Sequence, residues 1–135
     1  MKSWTIAVNV GRLVEGRPLS LRTRHDAIAY CAEFRLLVPP LRSAVICADY
    51  RNVTVFPPDV ADELARLMAD MNPYIERSAI LVSAEHATNA LQVQRVVRET
   101  HNENRRRFTD SHELARWLGE VLGPHERERL AQFLS

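Results

Sequence analysis

The sequence predicts an α/β fold in which a mostly parallel sheet of four to five strands carries helices packed on it. Two observations lead to this prediction. Short apolar runs without a helical period alternate along the chain with helical patterns of ten to fifteen residues. The chain has 135 residues, 46% of them hydrophobic and 26% charged, which is typical of one globular domain with a real core. The predicted element order is β-β-α-β-α-β-α-β-α, followed by a short C-terminal helix.

Two strands are predicted before the first helix. Residues 4–10 alternate between apolar and smaller or polar side chains, which indicates a half-buried strand. A turn at residues 11–12 leads to a second short strand at residues 13–14, which Glu15-Gly16 closes.

The first helix is predicted to run from an N-cap at Thr23 to about Leu37. Asp26 stands three residues after Thr23, as in a capping-box variant, and Pro39-Pro40 stops the helix. The apolar stripe of this helix consists of Ala27, Cys31, Phe34 and Val38.

The central strand and the second helix follow. The apolar run at residues 44–48 predicts a strand buried on both faces, which Asp49 ends. A turn and the segment 53–56 then lead to Pro58, whose missing N–H suits the first position of a helix. Asp59 places a carboxylate at the positive end of that helix. The apolar stripe of the helix is interpreted either as core or as an adaptable binding surface, and consists of Val60, Leu64, Leu67, Met68 and Met71.

The remaining elements repeat this alternation. Residues 78–83 predict a buried strand, residues 89–102 a third helix, and Phe108 a short edge strand. Asp110 and Glu113 form a capping box for a fourth helix. The apolar residues of the fourth helix are Leu114, Trp117, Leu118, Val121 and Leu122. Gly123 ends that helix, and a last helix starting at Pro124 carries Leu130, Phe133 and Leu134 on one side.

Composition argues against several classes of protein. A net charge of +1 gives no support to nucleic-acid binding. No apolar run approaches the roughly 20 residues of a membrane span, and the N-terminal residues lack the apolar segment of a signal peptide. Cys31 and Cys47 are not spaced as Cys-x-x-Cys, so we interpret them as reduced core cysteines. We therefore expect a cytoplasmic protein without membrane insertion.

The sequence contains no recognisable catalytic motif. The chain contains no His-Glu-x-x-His motif, no Gly-x-Ser-x-Gly motif and no glycine-rich phosphate loop, so we expect no enzymatic activity, no metal and no cofactor. His86, Thr88 and Asn89 either form a secondary site at the end of the sheet or are solvated or capping residues. Arg105-Arg106-Arg107 is interpreted as a solvated strand edge, with a contact to phosphate or to an acidic partner as the alternative.

The element order and the central stretch resemble the STAS domain of anti-sigma-factor antagonists, in particular the SpoIIAA-like group. In that family a buried strand ends in Asp or Asn, and an apolar segment then leads to Asp-Ser-Ser-Gly at the start of the next helix. Here Asp49 ends the strand, residues 53–56 match the apolar segment, and Pro57, Pro58, Asp59 and Val60 take the four motif positions. Members of the same group also have a late Phe followed by an acidic helix cap and a helix that contains x-x-Trp-Leu. This pattern is matched here by Phe108, Asp110, Trp117 and Leu118. The resemblance covers residues 4–122 and implies a non-enzymatic regulatory module that binds a protein partner.

One departure from the family affects regulation. Asp59 stands where the family has its phosphoacceptor serine, and a carboxylate is not the target of a serine kinase. Asp59 either mimics the phosphorylated state in part or only caps and charges its helix. The partner-binding residues that the resemblance implies are Asp49, Arg51, Asn52, Pro57, Pro58, Asp59 and Asp62.

Two functions from different classes remain open at this stage. The first is the protein-interaction module, and the second is a carrier or sensor of a small apolar ligand held between sheet and helices, as in CRAL-TRIO-like domains. We predict a domain over residues 1–122 and a C-terminal helical extension over residues 123–135. The extension docks either on its own subunit or in a homodimer contact, because its large apolar side chains need burial.

Overall fold

The computed structural model describes residues 3–135. Met1 and Lys2 lie outside the described residues, as do the parts of the predicted domain and of the export argument that fall on them. Five strands form one sheet in the order β1-β2-β3-β4-β5: Trp4–Val8, Leu13–Pro18, Ala44–Asp49, Ile75–Leu81 and Arg105–Phe108. Strand β1 pairs antiparallel with β2, and every later pairing is parallel. The predicted mostly parallel α/β sheet is therefore confirmed.

Five α-helices connect or follow the strands: α1 (Arg24–Leu37), α2 (Pro58–Met71), α3 (Ala87–Glu99), α4 (Ser111–Gly119) and α5 (Pro124–Leu134). The element order matches the predicted one. Thr23 caps α1 by accepting a hydrogen bond from the Asp26 N–H at 3.1 Å. Asp110 caps α4 by accepting from the His112 and Glu113 N–H groups. Local capping chemistry therefore fixes where these two helices begin.

The sheet separates two apolar cores. Helices α1, α2 and α3 pack on one face, around residues such as Tyr30, Leu64 and Val93. Helices α4 and α5 pack on the other face, against Val45 and Leu81 of the sheet. Successive side chains of β3 point to opposite faces of the sheet, so Ile46 belongs to the first core and Val45 to the second. The predicted burial of β3 on both faces is confirmed, and both cysteines are buried and free.

Helix α5 packs on its own subunit. Leu130, Phe133 and Leu134 are buried in the core that α4 shares. The Glu126 carboxylate accepts a hydrogen bond from the Arg12 N–H at 2.9 Å, and Arg129 donates two hydrogen bonds to Glu15 at 2.6 and 2.7 Å. The apolar side of this helix is therefore covered within one chain, as in the first of the two docking alternatives.

Several element bounds differ from the predicted ones. Strand β2 continues through Glu15 and Gly16 to Pro18, because these residues keep pairing with β1. A Cβ atom at Gly16 would lie 2.8 Å from the Phe34 ring. Glycine here makes room for a helix instead of closing the strand. Strand β4 begins three residues early, at Ile75, and ends at Leu81. Helices α3 and α4 end at Glu99 and Gly119, earlier than predicted.

The interpretation of Arg105-Arg106-Arg107 as a solvated edge is wrong for Arg105. Strand β5 is an edge strand of the sheet, yet only 3% of the Arg105 surface is exposed. Arg106 lies over the Trp117 ring at 4.8 Å, and Arg107 donates to the Ala90 carbonyl at 3.1 Å. Arg105 and Arg107 therefore lie on one face of β5, and Arg106 lies on the other.

Candidate functional site

An open groove lies where parallel strands β2 and β3 end. The loops that follow the two strands lie side by side, because the carboxyl ends of parallel strands share one edge of the sheet. The groove has a volume of about 390 Å³. It is lined by Leu19, Ser20, Leu21 and Arg22 from the first loop and by Asn52, Val53, Thr54, Val55 and Pro57 from the second.

The walls of this groove present apolar side chains to solvent. Leu19 is 52% exposed and Val55 is 51% exposed, one on each side. Asn52 and Thr54 are also exposed beside Val55, so the lining combines apolar area with hydrogen-bonding groups. Protein interfaces combine an apolar centre with a polar rim, and this lining offers both kinds of group.

The second loop is held in one shape although it has no regular secondary structure. The Gln92 side chain of α3 accepts a hydrogen bond from the Phe56 N–H at 2.9 Å and donates to the Phe56 carbonyl at 2.7 Å. The Phe56 ring meets the Tyr50 ring edge-on, with centroids 5.4 Å apart. The Val53 N–H closes a turn on the Tyr50 carbonyl at 3.0 Å. These contacts, together with Pro57, pre-form the loop.

The start of α2 adds negative charge beside the groove. Pro57 is the N-cap residue and its side chain makes no capping hydrogen bond, while Pro58 occupies the first helical turn. Asp59 is exposed, and its Oδ1 accepts a hydrogen bond from the Val60 N–H at 2.9 Å. Asp62 is also exposed, one turn further on. Of the predicted partner-binding residues, Pro58, Asp59 and Asp62 therefore lie on one accessible surface.

Asp49 and Arg51 have a different environment. Asp49 is 3% exposed and its carboxylate accepts hydrogen bonds from the Arg51 Nε and Nη2 atoms and from Arg17 Nε, each at 3.0 Å. The same two arginines donate to the last carbonyls of α5, at Phe133 and Leu134. The network thus joins the end of β3 to the end of α5, where cations suit the helix dipole.

Electrostatics within this network favour the charged carboxylate. Burial alone would raise the pKa of Asp49, but the hydrogen bonds from Arg51 and Arg17 outweigh burial and hold the pKa below its usual range. Hydrogen bonding to Asp49 in turn raises the pKa of Arg51. Asp49 is therefore a buried anchor at the start of the loop, whereas Asn52 and Pro57 line the groove.

The three residues of the predicted secondary site differ in exposure: His86 is half-buried, Thr88 is exposed and Asn89 is buried. His86 is the N-cap residue of α3 without a side-chain cap, and Thr88 is exposed. Asn89 is fully buried, and neither of its amide atoms has a hydrogen-bond partner. Thr88 therefore faces solvent while Asn89 faces the interior.

Several residues of the groove were not found by sequence reasoning. Leu19 and Arg22 follow β2 without any motif, although the predicted parallel pairing of neighbouring strands places their loop at the same edge. Gln92 lies 36 residues beyond Phe56 and is not part of any local sequence pattern.

Sequence reasoning also did not identify Glu63, a residue of α2 outside the groove lining. It is buried and pairs with Arg24 at 3.0 Å, and that hydrogen bond lowers the pKa of Glu63.

Three further observations concern metal sites, membrane-spanning helices and similarity to known proteins. Within residues 3–135, no three His, Cys, Asp or Glu side chains are placed to hold a metal ion. None of the helices over the same residues is long and apolar enough to span a membrane. Comparisons with protein-family models, curated proteins and solved structures give no match.

Proposed function

We propose that this protein is a non-enzymatic interaction module that binds a protein partner in the groove between the two loops. The observation that supports this most is the pair of exposed apolar side chains that face each other across the groove, Leu19 on the first loop and Val55 on the second. Gln92 holds the second of these loops in place. A pre-formed loop loses little conformational entropy when a partner binds. The mostly parallel sheet and the element order are compatible with a STAS-like, SpoIIAA-like regulator.

The charges indicate which partner would fit. Asp59 and Asp62 are exposed in the first two turns of α2, the helix that begins directly after the groove residue Pro57. A partner segment with one apolar side chain for the groove and a basic residue toward α2 would complement both features. In this proposal Asp59 supplies a fixed negative charge where the family has a phosphorylated serine, and binding needs no kinase.

The carrier function receives less support. Two spaces between the sheet and helices α1–α3 have volumes of about 30 and 10 Å³. A lipid-sized ligand needs several hundred Å³. The helices instead fill this side of the sheet with large side chains such as Phe34, Leu67 and Met68.

Affinity capture from the source cell tests the proposal. Val55→Asp places a charge in the groove, and Leu91→Asp makes the same change at an exposed leucine of α3 outside it. We expect the wild-type protein and Leu91→Asp to retain the same partner and Val55→Asp to lose it. Equal retention by all three proteins would place the interface elsewhere.

A further inference from the structure

Arg105 is a buried cation whose hydrogen bonds are incomplete. It is the first residue of β5 and pairs in register with Ser78, on the sheet face that α1–α3 cover. Its Nη1 donates to the Asn72 Oδ1 at 2.5 Å. Its Nε atom is buried and has no hydrogen-bond partner. One of the five donors of the guanidinium is therefore left without an acceptor inside the protein.

Among the residues that the structure describes, no carboxylate forms an ion pair with this guanidinium. None of the ion pairs among residues 3–135 includes Arg105. The C-terminal end of α2, next to Asn72, supplies only a partial negative charge. Burial lowers the pKa of Arg105 to about 10. A buried charge without a counterion is unfavourable, and proteins normally pair it.

A small cavity adjoins Arg105. Its volume is about 30 Å³, which suits one small ion or one to two water molecules. Most of its walls are apolar, including Ile46, Leu67, Met68 and Met71. The lining also includes Tyr50 and Ser78, whose hydroxyl groups are able to donate hydrogen bonds.

We propose that this cavity binds a small monovalent anion, a halide or a one-carbon carboxylate, as the counterion of Arg105. A single guanidinium compensates one negative charge, so a dianion would be left with an unpaired charge among apolar walls. Weakly hydrated monovalent anions lose least on entering such a cavity. The Arg105 guanidinium belongs to the cavity lining and supplies the donor, and the small volume disfavours larger acids. This site lies apart from the groove and does not depend on the proposed function.

Thermal unfolding in different sodium salts tests the site. The wild-type protein, Arg105→Met and Arg106→Met are compared in bromide, chloride, formate and sulfate at equal ionic strength. Arg106 is the matched control, because it is the next residue of the strand and points to the opposite face, onto Trp117. At about ten times its Kd the bound anion should raise the wild-type Tm by roughly 3–6 °C relative to sulfate. Arg106→Met should keep that rise and Arg105→Met should lose it.

Crystals of the wild-type protein grown in bromide give a second readout that needs no variant. We expect an anomalous peak within about 3.5 Å of a guanidinium nitrogen of Arg105. If the density there shows a water molecule and no bromide, the proposal is overturned. A bromide peak without anion-specific stabilisation of the wild-type protein would mean an adventitious ion only, and would overturn it as well. Equal anion-dependent shifts in wild type and Arg105→Met would have the same consequence.

Discussion

Gln92 and Phe56 form a reciprocal pair of hydrogen bonds, with the side-chain amide of one residue bound to both backbone groups of the other at 2.9 and 2.7 Å. The pair connects the middle of α3 to the loop that ends β3. A helix on the sheet face therefore determines the shape of a groove at the sheet edge, and the loop does not need regular secondary structure to keep that shape.

The first prediction concerns this pair. Gln92→Ala removes both hydrogen bonds, and since each contributes about 0.5–1.5 kcal/mol net, unfolding should become easier by about 1–3 kcal/mol. Amide hydrogen exchange should also accelerate at residues 53–56. Urea unfolding and exchange measured by mass spectrometry check both effects. Gln94→Ala is the control on the same helix, and equal exchange in the two variants would show that Gln92 does not hold the loop.

The second prediction concerns α5. Leu130 is 1% exposed within the core that α4 and α5 share, so Leu130→Ala should reduce the free energy of unfolding by about 2–5 kcal/mol. Gln132→Ala, an exposed position of the same helix, should change it by less than about 0.5 kcal/mol. Urea denaturation gives both values. Similar small effects in the two variants would mean that α5 does not dock as described.

The third prediction is a pH dependence carried by Asp49. Its pKa is lower in the folded protein than in the unfolded chain. The network of Asp49 with Arg17 and Arg51 therefore contributes its full stability above the unfolded pKa of about 4, and this contribution is lost as the pH falls through the lower folded pKa. Asp49→Asn should destabilise the protein at pH 7 by about 1–3 kcal/mol and should lose less additional stability than wild type on acidification to about pH 3.

Urea unfolding at several pH values measures this effect. Asp70→Asn is the control, because Asp70 pairs with Arg35 on an exposed surface, where such pairs contribute little. Parallel pH profiles for wild type and Asp49→Asn would show that Asp49 does not carry the predicted part of the acid sensitivity.

The fold could be predicted from the sequence to the extent that its signals are local. Thr23 and Asp110 act within three residues of themselves, and apolar periodicity indicated all five helices. The predicted ends of strands were wrong where contacts between residues distant in sequence determine them. Gly16 lies inside a strand because it pairs with Ile6 of β1 and Ala48 of β3, while Phe34 occupies the space of a side chain there. The polar start of β4 lies at a rim where Glu76 pairs with Arg12 at 2.8 Å.

The candidate site was predicted in part for the same reason. Pro57 to Asp62 lie together because the start of one helix holds them. The burial of Asp49 depends on Arg17, which is 32 residues away in the sequence. Arg105 looked like a surface residue because its neighbours in sequence are charged, and only the pairing of β5 with β4 places it inside. Long-range pairing of this kind leaves no trace in spacing.

The fourth prediction concerns charge at the start of α2. Asp59→Asn should lower the free energy of unfolding by no more than about 0.3–1 kcal/mol, the usual contribution of a charge at an exposed helix end. Affinity for the captured partner should nevertheless fall several-fold, because an interface charge pair can contribute more to binding than to folding. Calorimetry and a thermal melt measure the two effects. Unchanged affinity would reduce Asp59 to a helix-capping role.

The most direct test of the groove is the affinity of the captured partner for Val55→Asp and Leu91→Asp, measured by isothermal titration calorimetry beside the wild-type protein. A buried charge at Val55 without a counterpart should weaken binding by more than tenfold, equivalent to about 1.4 kcal/mol. The same change at Leu91, which is 68% exposed and lies outside the groove, should leave the Kd within about twofold of wild type. Equal Kd values for Val55→Asp and the wild-type protein would contradict the proposed interface.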